Sequence, residues 1–86
     1  MTMEFSHHAL RQIEARNISQ EAVSSVIQHP DQILQQDQET TIYSKLIDGL
    51  EKRYLYRVFV NTAKEPWLII AAYKTSKIEK YGYSLR

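Results

Sequence analysis

With 86 residues the chain has room for one domain and a thin core. It holds no cysteine, which excludes a disulfide framework and a thiolate zinc site. A net charge of +1, ordinary hydrophobic content, no apolar run of membrane-spanning length and nothing like a signal peptide lead to the expectation of a cytoplasmic protein.

Ser6 is placed to cap a first helix, with Ala9, Leu10 and Ile13 on one face. Asn17 tolerates the left-handed position at which such a helix stops. Ser19 caps a second helix, with Ile18 and Val23 spaced as a hydrophobic staple and Ala22, Val23, Val26 and Ile27 as its buried stripe. Pro30 disfavours helical geometry at His29 and ends it. The link between the two is short enough to predict a tight helical hairpin.

The second half reads as strands. Residues 32–36 form a weak strand at an edge, and residues 40–47 are richer in β-branched side chains. Asp48-Gly49 signals a turn. Residues 52–61 alternate, with Tyr54, Tyr56, Val58 and Val60 on one face and Leu55, Arg57 and Phe59 on the other. Residues 62–66 are polar and closed by proline, hence a loop. Residues 67–75 are apolar on both faces, the pattern of a strand inside a sheet. Ser76 and Glu79 fit a capping box, which predicts a short helix stopped by Gly82. The expectation is one α+β domain over residues 1–86: an N-terminal helical hairpin packed on an antiparallel sheet of about four strands, with a short C-terminal helix.

The candidate chemistry is sparse. There is no Gly-rich phosphate loop, nucleophile elbow or paired-carboxylate motif. His7 and His8 open the first helix, where one of them could serve as acid or base near neutral pH or simply stand on the surface. No further His, Asp or Glu follows at one-turn spacing, so neither a metal nor a cofactor is expected. Arg57 lies mid-strand among apolar neighbours and requires a partner, either a carboxylate such as Glu14 or Glu21, or a phosphate. Six tyrosines are interleaved with basic residues. They fit sheet packing and also fit stacking on unpaired bases.

Four stretches carry a family resemblance: Ser6-His-His-Ala-Leu-Arg-Gln-Ile-Glu-Ala-Arg-Asn-Ile-Ser19, Val26-Ile-Gln-His-Pro30, Tyr54-Leu-Tyr-Arg-Val-Phe-Val-Asn61 and Tyr73-Lys-Thr-Ser-Lys-Ile-Glu-Lys-Tyr81. In this order they resemble the domain of unknown function numbered 4258. The resemblance implies a small toxin similar to the BrnT and RelE type, metal-independent endoribonucleases of toxin–antitoxin pairs. His8, Arg16, Arg57, Tyr73, Lys74, Thr75 and Lys77 fall on what look like recurrent polar positions of that family. Gln12 stands where many relatives carry arginine. On this reading His8, Arg57, Tyr73 and Lys74 are the catalytic candidates. His8 is base or acid, Arg57 meets the phosphate charge, Lys74 or Lys77 adds to it, and Tyr73 orients or donates. Arg16, Arg53, Thr75, Lys77 and Tyr81 are the RNA-binding candidates. The implied partners are an antitoxin and RNA, with no membrane. Two other readings stand beside the enzyme: a non-catalytic RNA- or protein-binding module of the same fold, and a structural homodimer.

Overall fold

The computed structural model describes residues 3–78. The chain runs β1 (Met3–Phe5), α1 (His7–Ala15), α2 (Gln20–Gln28), β2 (Gln32–Gln35), β3 (Thr40–Asp48), β4 (Arg53–Asn61) and β5 (Trp67–Thr75). The strands form a 5-stranded sheet in the order β1-β5-β4-β3-β2. Strands β2 to β5 make an antiparallel meander, and β1 joins β5 in parallel. The sheet is therefore mixed rather than antiparallel, and it has five strands rather than about four. The missing strand is β1, only 3 residues long. It has no alternation of its own to read and exists because β5 offers it an edge.

The two helices are the path from one edge of the sheet to the other. β1 and β2 are the outer strands, so α1 and α2 carry the chain across one face between them. α1 packs on β5, and α2 packs on β3 and β4. Each helix rests mainly on the sheet and not on its neighbour, so the expected tight helical hairpin is not formed. Among the described residues the elements end at β5. The expected helix beginning at Ser76 falls largely outside them.

Local chemistry fixes the helix ends. The Ser6 hydroxyl accepts from Ala9 N–H at 3.1 Å, and the Ser19 hydroxyl accepts from Ala22 N–H at 3.0 Å. α1 closes in a Schellman motif. Ile18 N–H bonds to Ile13 C=O at 2.8 Å, Asn17 N–H bonds to Glu14 C=O at 3.3 Å, and Asn17 takes φ 56°. Ile13 and Ile18, brought together by this turn, are both buried. At the end of α2, the Lys45 ammonium donates to the His29 carbonyl at 2.8 Å, placing a cation where the helix dipole favours one.

Between helices and sheet lies one core: Ala9, Ile13, Ile18, Val23, Val26 and Ile27 against Tyr43, Val58, Val60, Ile69 and Ala72. Burial pushes the Tyr43 phenol above its ordinary value of 10.0, so it stays neutral inside this layer. α1 also seals the edge of β5 beyond the end of β1. Ser6 N–H bonds to Ile69 C=O at 2.9 Å, and Ala72 N–H bonds to Gln12 Oε1 at 2.8 Å. An arginine at position 12 has no acceptor to offer that amide. Gln12→Leu is expected to strand the Ala72 donor and lower stability by about 1–3 kcal/mol. The measurement is urea unfolding, with the midpoint falling at unchanged slope. Gln12→Glu, which keeps an acceptor oxygen, should recover most of the loss.

The hairpins close as their residues demand. Gly49 N–H bonds to Lys52 C=O at 2.7 Å, and a Cβ at Gly49 would sit 3.1 Å from that same oxygen and from the Tyr54 ring. Asp48 and Arg53 flank the turn in an ion pair at 2.7 Å. In the β2–β3 turn, Asp37 Oδ1 accepts from Glu39 N–H and Thr40 N–H, each at 2.8 Å. These donors, Glu39 first, hold the Asp37 carboxyl below its ordinary value of 3.8. The unfolded chain then binds the proton more readily than the folded one. The carboxylate's support of the turn is complete above pH 3.8 and is lost as pH falls through the lower folded value. Amide exchange at Glu39 and Thr40 should accelerate in that acid window. Asp37→Ala should exchange fast at every pH.

Candidate functional site

A single irregularity in β5 decides which side chains share a face. Val60 pairs with Ile69 and Phe59 with Ala71, so Ile70 is an extra residue with no partner on β4. Such a bulge reverses the in–out alternation. Before it, Trp67 and Ile69 face the helices; after it, Ala72 does. Tyr73 is thereby turned to the face away from the helices, and Lys74 to the helix side.

On the far face Tyr73 lies directly across from Arg57. The Arg57 guanidinium donates from Nη1 to the Tyr73 hydroxyl at 2.9 Å. Its Cζ also sits 5.5 Å from the centre of the Phe59 ring. That ring is stacked against Tyr73, with centroids 6.1 Å apart and planes 26° apart. A planar cation is thus held by an aromatic platform and a hydroxyl, all half-buried. The carboxylate partners considered for Arg57 are not used: Glu14 lies on α1 and Glu21 on α2, which cover the opposite face.

β-strand alternation puts Arg53 and Thr75 on the same far face, Arg53 across from Asp48 and Thr75 across from Leu55. A hollow of about 380 Å³ opens there, lined by Lys52, Arg53, Ser76 and Ile78. Ser44, buried and directly across from Arg57 on its other side, completes the row. Two members of this face escape a reading of residue types. The β4 alternation already places Phe59 beside Arg57, but its residue type alone does not mark it as a site residue. Ser44 could not be found, because its place depends on the β3–β4 register.

The other candidates lie elsewhere. Lys74 extends its ammonium over Tyr54 at 5.2 Å and Tyr56 at 5.9 Å, on the helix side. His8 is exposed in the first turn of α1, and Arg16 is that helix's exposed C-cap residue. Lys77 follows β5, its N–H bonded to the Thr75 hydroxyl at 3.0 Å. Tyr81 lies outside the described residues. Arg53, Arg57, Tyr73 and Thr75 are therefore brought onto one face, whereas His8, Arg16 and Lys74 belong to the side of the helices. Among the described residues no group of three or more His, Asp or Glu side chains is arranged to hold a metal ion, and no helix is long and apolar enough to cross a membrane.

A family model described as "Domain of unknown function (DUF4258)" matches residues 5–74. The chain belongs to this family. The match takes in Arg57, Tyr73 and the α1 residues His8 and Arg16, and ends at Lys74. In DUF4258 terms, the far-face pair and the Gln12 contact to β5 are both parts of the matched domain. No curated protein and no solved structure matches the chain.

Proposed function

We propose that this DUF4258 protein is a toxin-like, metal-independent endoribonuclease of the cytoplasm, held in check by an antitoxin protein, with its chemistry centred on Arg57 and Tyr73. The observation that carries the reading is the Arg57–Tyr73 hydrogen bond above the Phe59 ring. Cleavage without metal uses the RNA 2′-OH as nucleophile against the adjacent phosphorus. It forms a 2′,3′-cyclic phosphate and releases a 5′-OH, so one proton must leave the 2′ oxygen and one must reach the departing 5′ oxygen. Arginine remains protonated and meets the charge gathering on the phosphorane. The Tyr73 hydroxyl, fixed beside that cation, can give its proton to the departing 5′ oxygen, while water takes the proton from the 2′ oxygen and a proton from solvent restores the phenol. Arg53 and Thr75 extend the polar track along the strands.

A second reading, a non-catalytic RNA-binding module, is favoured by the separation of Lys74 and the helix bearing His8 from that face. Incubation of the purified protein with single-stranded RNA in the presence of a chelator separates the two. New 2′,3′-cyclic phosphate ends support the enzyme. Retention of intact RNA on the protein supports the module. Neither cleavage nor binding would reject both.

A further inference from the structure

We infer that the outer edge of β2 is a docking site for an extended segment of a partner protein, one with apolar residues flanked on both sides by lysine or arginine. This inference is independent of the ribonuclease reading and concerns a different part of the molecule.

Among the described residues, β2 has a neighbour on one side only. Gln36 N–H bonds to Thr40 C=O at 2.9 Å, which identifies a hydrogen-bonded pair in the antiparallel ladder with β3. Hydrogen-bonded pairs alternate along such a ladder. The backbone groups of Gln32 and Leu34 are therefore turned to β3, and those of Ile33 and Gln35 point outward. The side chains are equally uncovered. Ile33 is 59% exposed on the helix side, across from Tyr43, and Leu34 is 50% exposed on the far side, across from Ile42. A strand laid along this edge would accept two outward N–H groups, donate to two carbonyls and cover both apolar side chains at once. Proteins usually blunt such an edge with lysine or proline. Gln32–Gln35 carries neither.

Charge decides the occupant. From Asp31 to Glu39 the chain carries three acids (Asp31, Asp37 and Glu39) and no lysine or arginine. Two of these carboxylates are fixed in place: Asp31 Oδ2 accepts from Leu46 N–H and Asp37 Oδ1 from the turn amides, each at 2.8 Å. A second copy paired antiparallel through both outward residues would set Leu34 against its own copy and Asp31 against the partner copy's acid at the far end of the strand. Like charges would then face each other at both ends, which opposes self-pairing. Nucleic acid is disfavoured by the same sign. A strand with basic flanks meets the acids and the apolar centre together.

The test uses a synthetic peptide of alternating valine and threonine with lysine and arginine at both ends, added to the isotope-labelled full chain. The expected result is amide shifts centred on β2 and at least ten-fold slower exchange at Ile33 and Gln35, in a complex that weakens with salt. The same peptide with glutamate flanks should bind at least ten-fold more weakly. Ile33→Pro removes an outward donor without touching the β3 ladder and should abolish binding in a folded protein. Asp37→Asn with Glu39→Gln, a milder change, should weaken binding about ten-fold at low salt. Shifts elsewhere, equal binding of the glutamate-flanked peptide, displacement by RNA at the same amides, or dimerisation through β2 in sedimentation would each overturn the proposal.

Discussion

Arg57→Ala is expected to slow RNA cleavage about a thousand-fold, equivalent to roughly 4 kcal/mol of transition-state stabilisation. The expectation rests on where the guanidinium is held. It is clamped between the Tyr73 hydroxyl and the Phe59 ring, so its charge is already in place when charge builds on phosphorus. Arg57→Lys keeps the charge but loses the planar fork and the stacking, and should recover only part of the rate. Tyr73→Phe keeps the ring stacked on Phe59 and removes only the hydroxyl. A loss of about a hundred-fold there, with unchanged RNA affinity, would assign the hydroxyl to proton transfer. Thermal melts of each variant separate lost chemistry from lost fold. Lys74→Ala and His8→Ala complete the set. Because Lys74 lies over Tyr54 and Tyr56 on the helix side, its removal is expected to change the rate little. A loss as large as that of Arg57→Ala in either variant would bring the helix side into the reaction.

The separation of Lys74 from Tyr73 shows what a sequence can and cannot convey here. Signals that are local were legible. Ser6 and Ser19 cap the two helices, Asn17 takes the left-handed position, Pro30 ends α2, and the β4 alternation places Arg57 with Phe59. Each depends on a few neighbouring residues and on backbone preferences that operate in any context. Features decided by distant partners were not legible. β1 is a strand only because β5 has a free edge beside it. The absence of a helical hairpin follows from α1 and α2 having to span the sheet between β1 and β2. The extra residue at Ile70 lies in the run Leu68-Ile-Ile-Ala-Ala72, where apolar side chains on both faces hide any change of phase. That one insertion sends Tyr73 and Lys74 to faces opposite to those an unbroken strand would have given them. It determines which of the candidate residues can meet one phosphate.

Ile69→Ala should be the most damaging single truncation in the fold, lowering stability by about 2–5 kcal/mol. A domain this small has little reserve, within the roughly 5–15 kcal/mol usual for folded proteins. The expected fall in melting temperature is therefore about 8–40 °C. Ile69 is 0% exposed and sits where three elements meet. It pairs with Phe5 on β1 and Val60 on β4, and its carbonyl receives the Ser6 N–H that anchors the start of α1. The cavity would open beside β1, whose 3 residues give it few other contacts. Amide exchange at Ser6 should rise more than exchange at the β3–β4 ladder, because β1 and the α1 cap lose their support first. Leu50→Ala is the matched control. Leu50 is as apolar as Ile69 but 105% exposed in the β3–β4 turn, so its truncation should change stability by no more than about 0.5 kcal/mol. A loss below about 1 kcal/mol for Ile69→Ala would mean that β1 and α1 close over the space, and that the β1–β5 pairing is held by its backbone bonds rather than by the side chains beneath it.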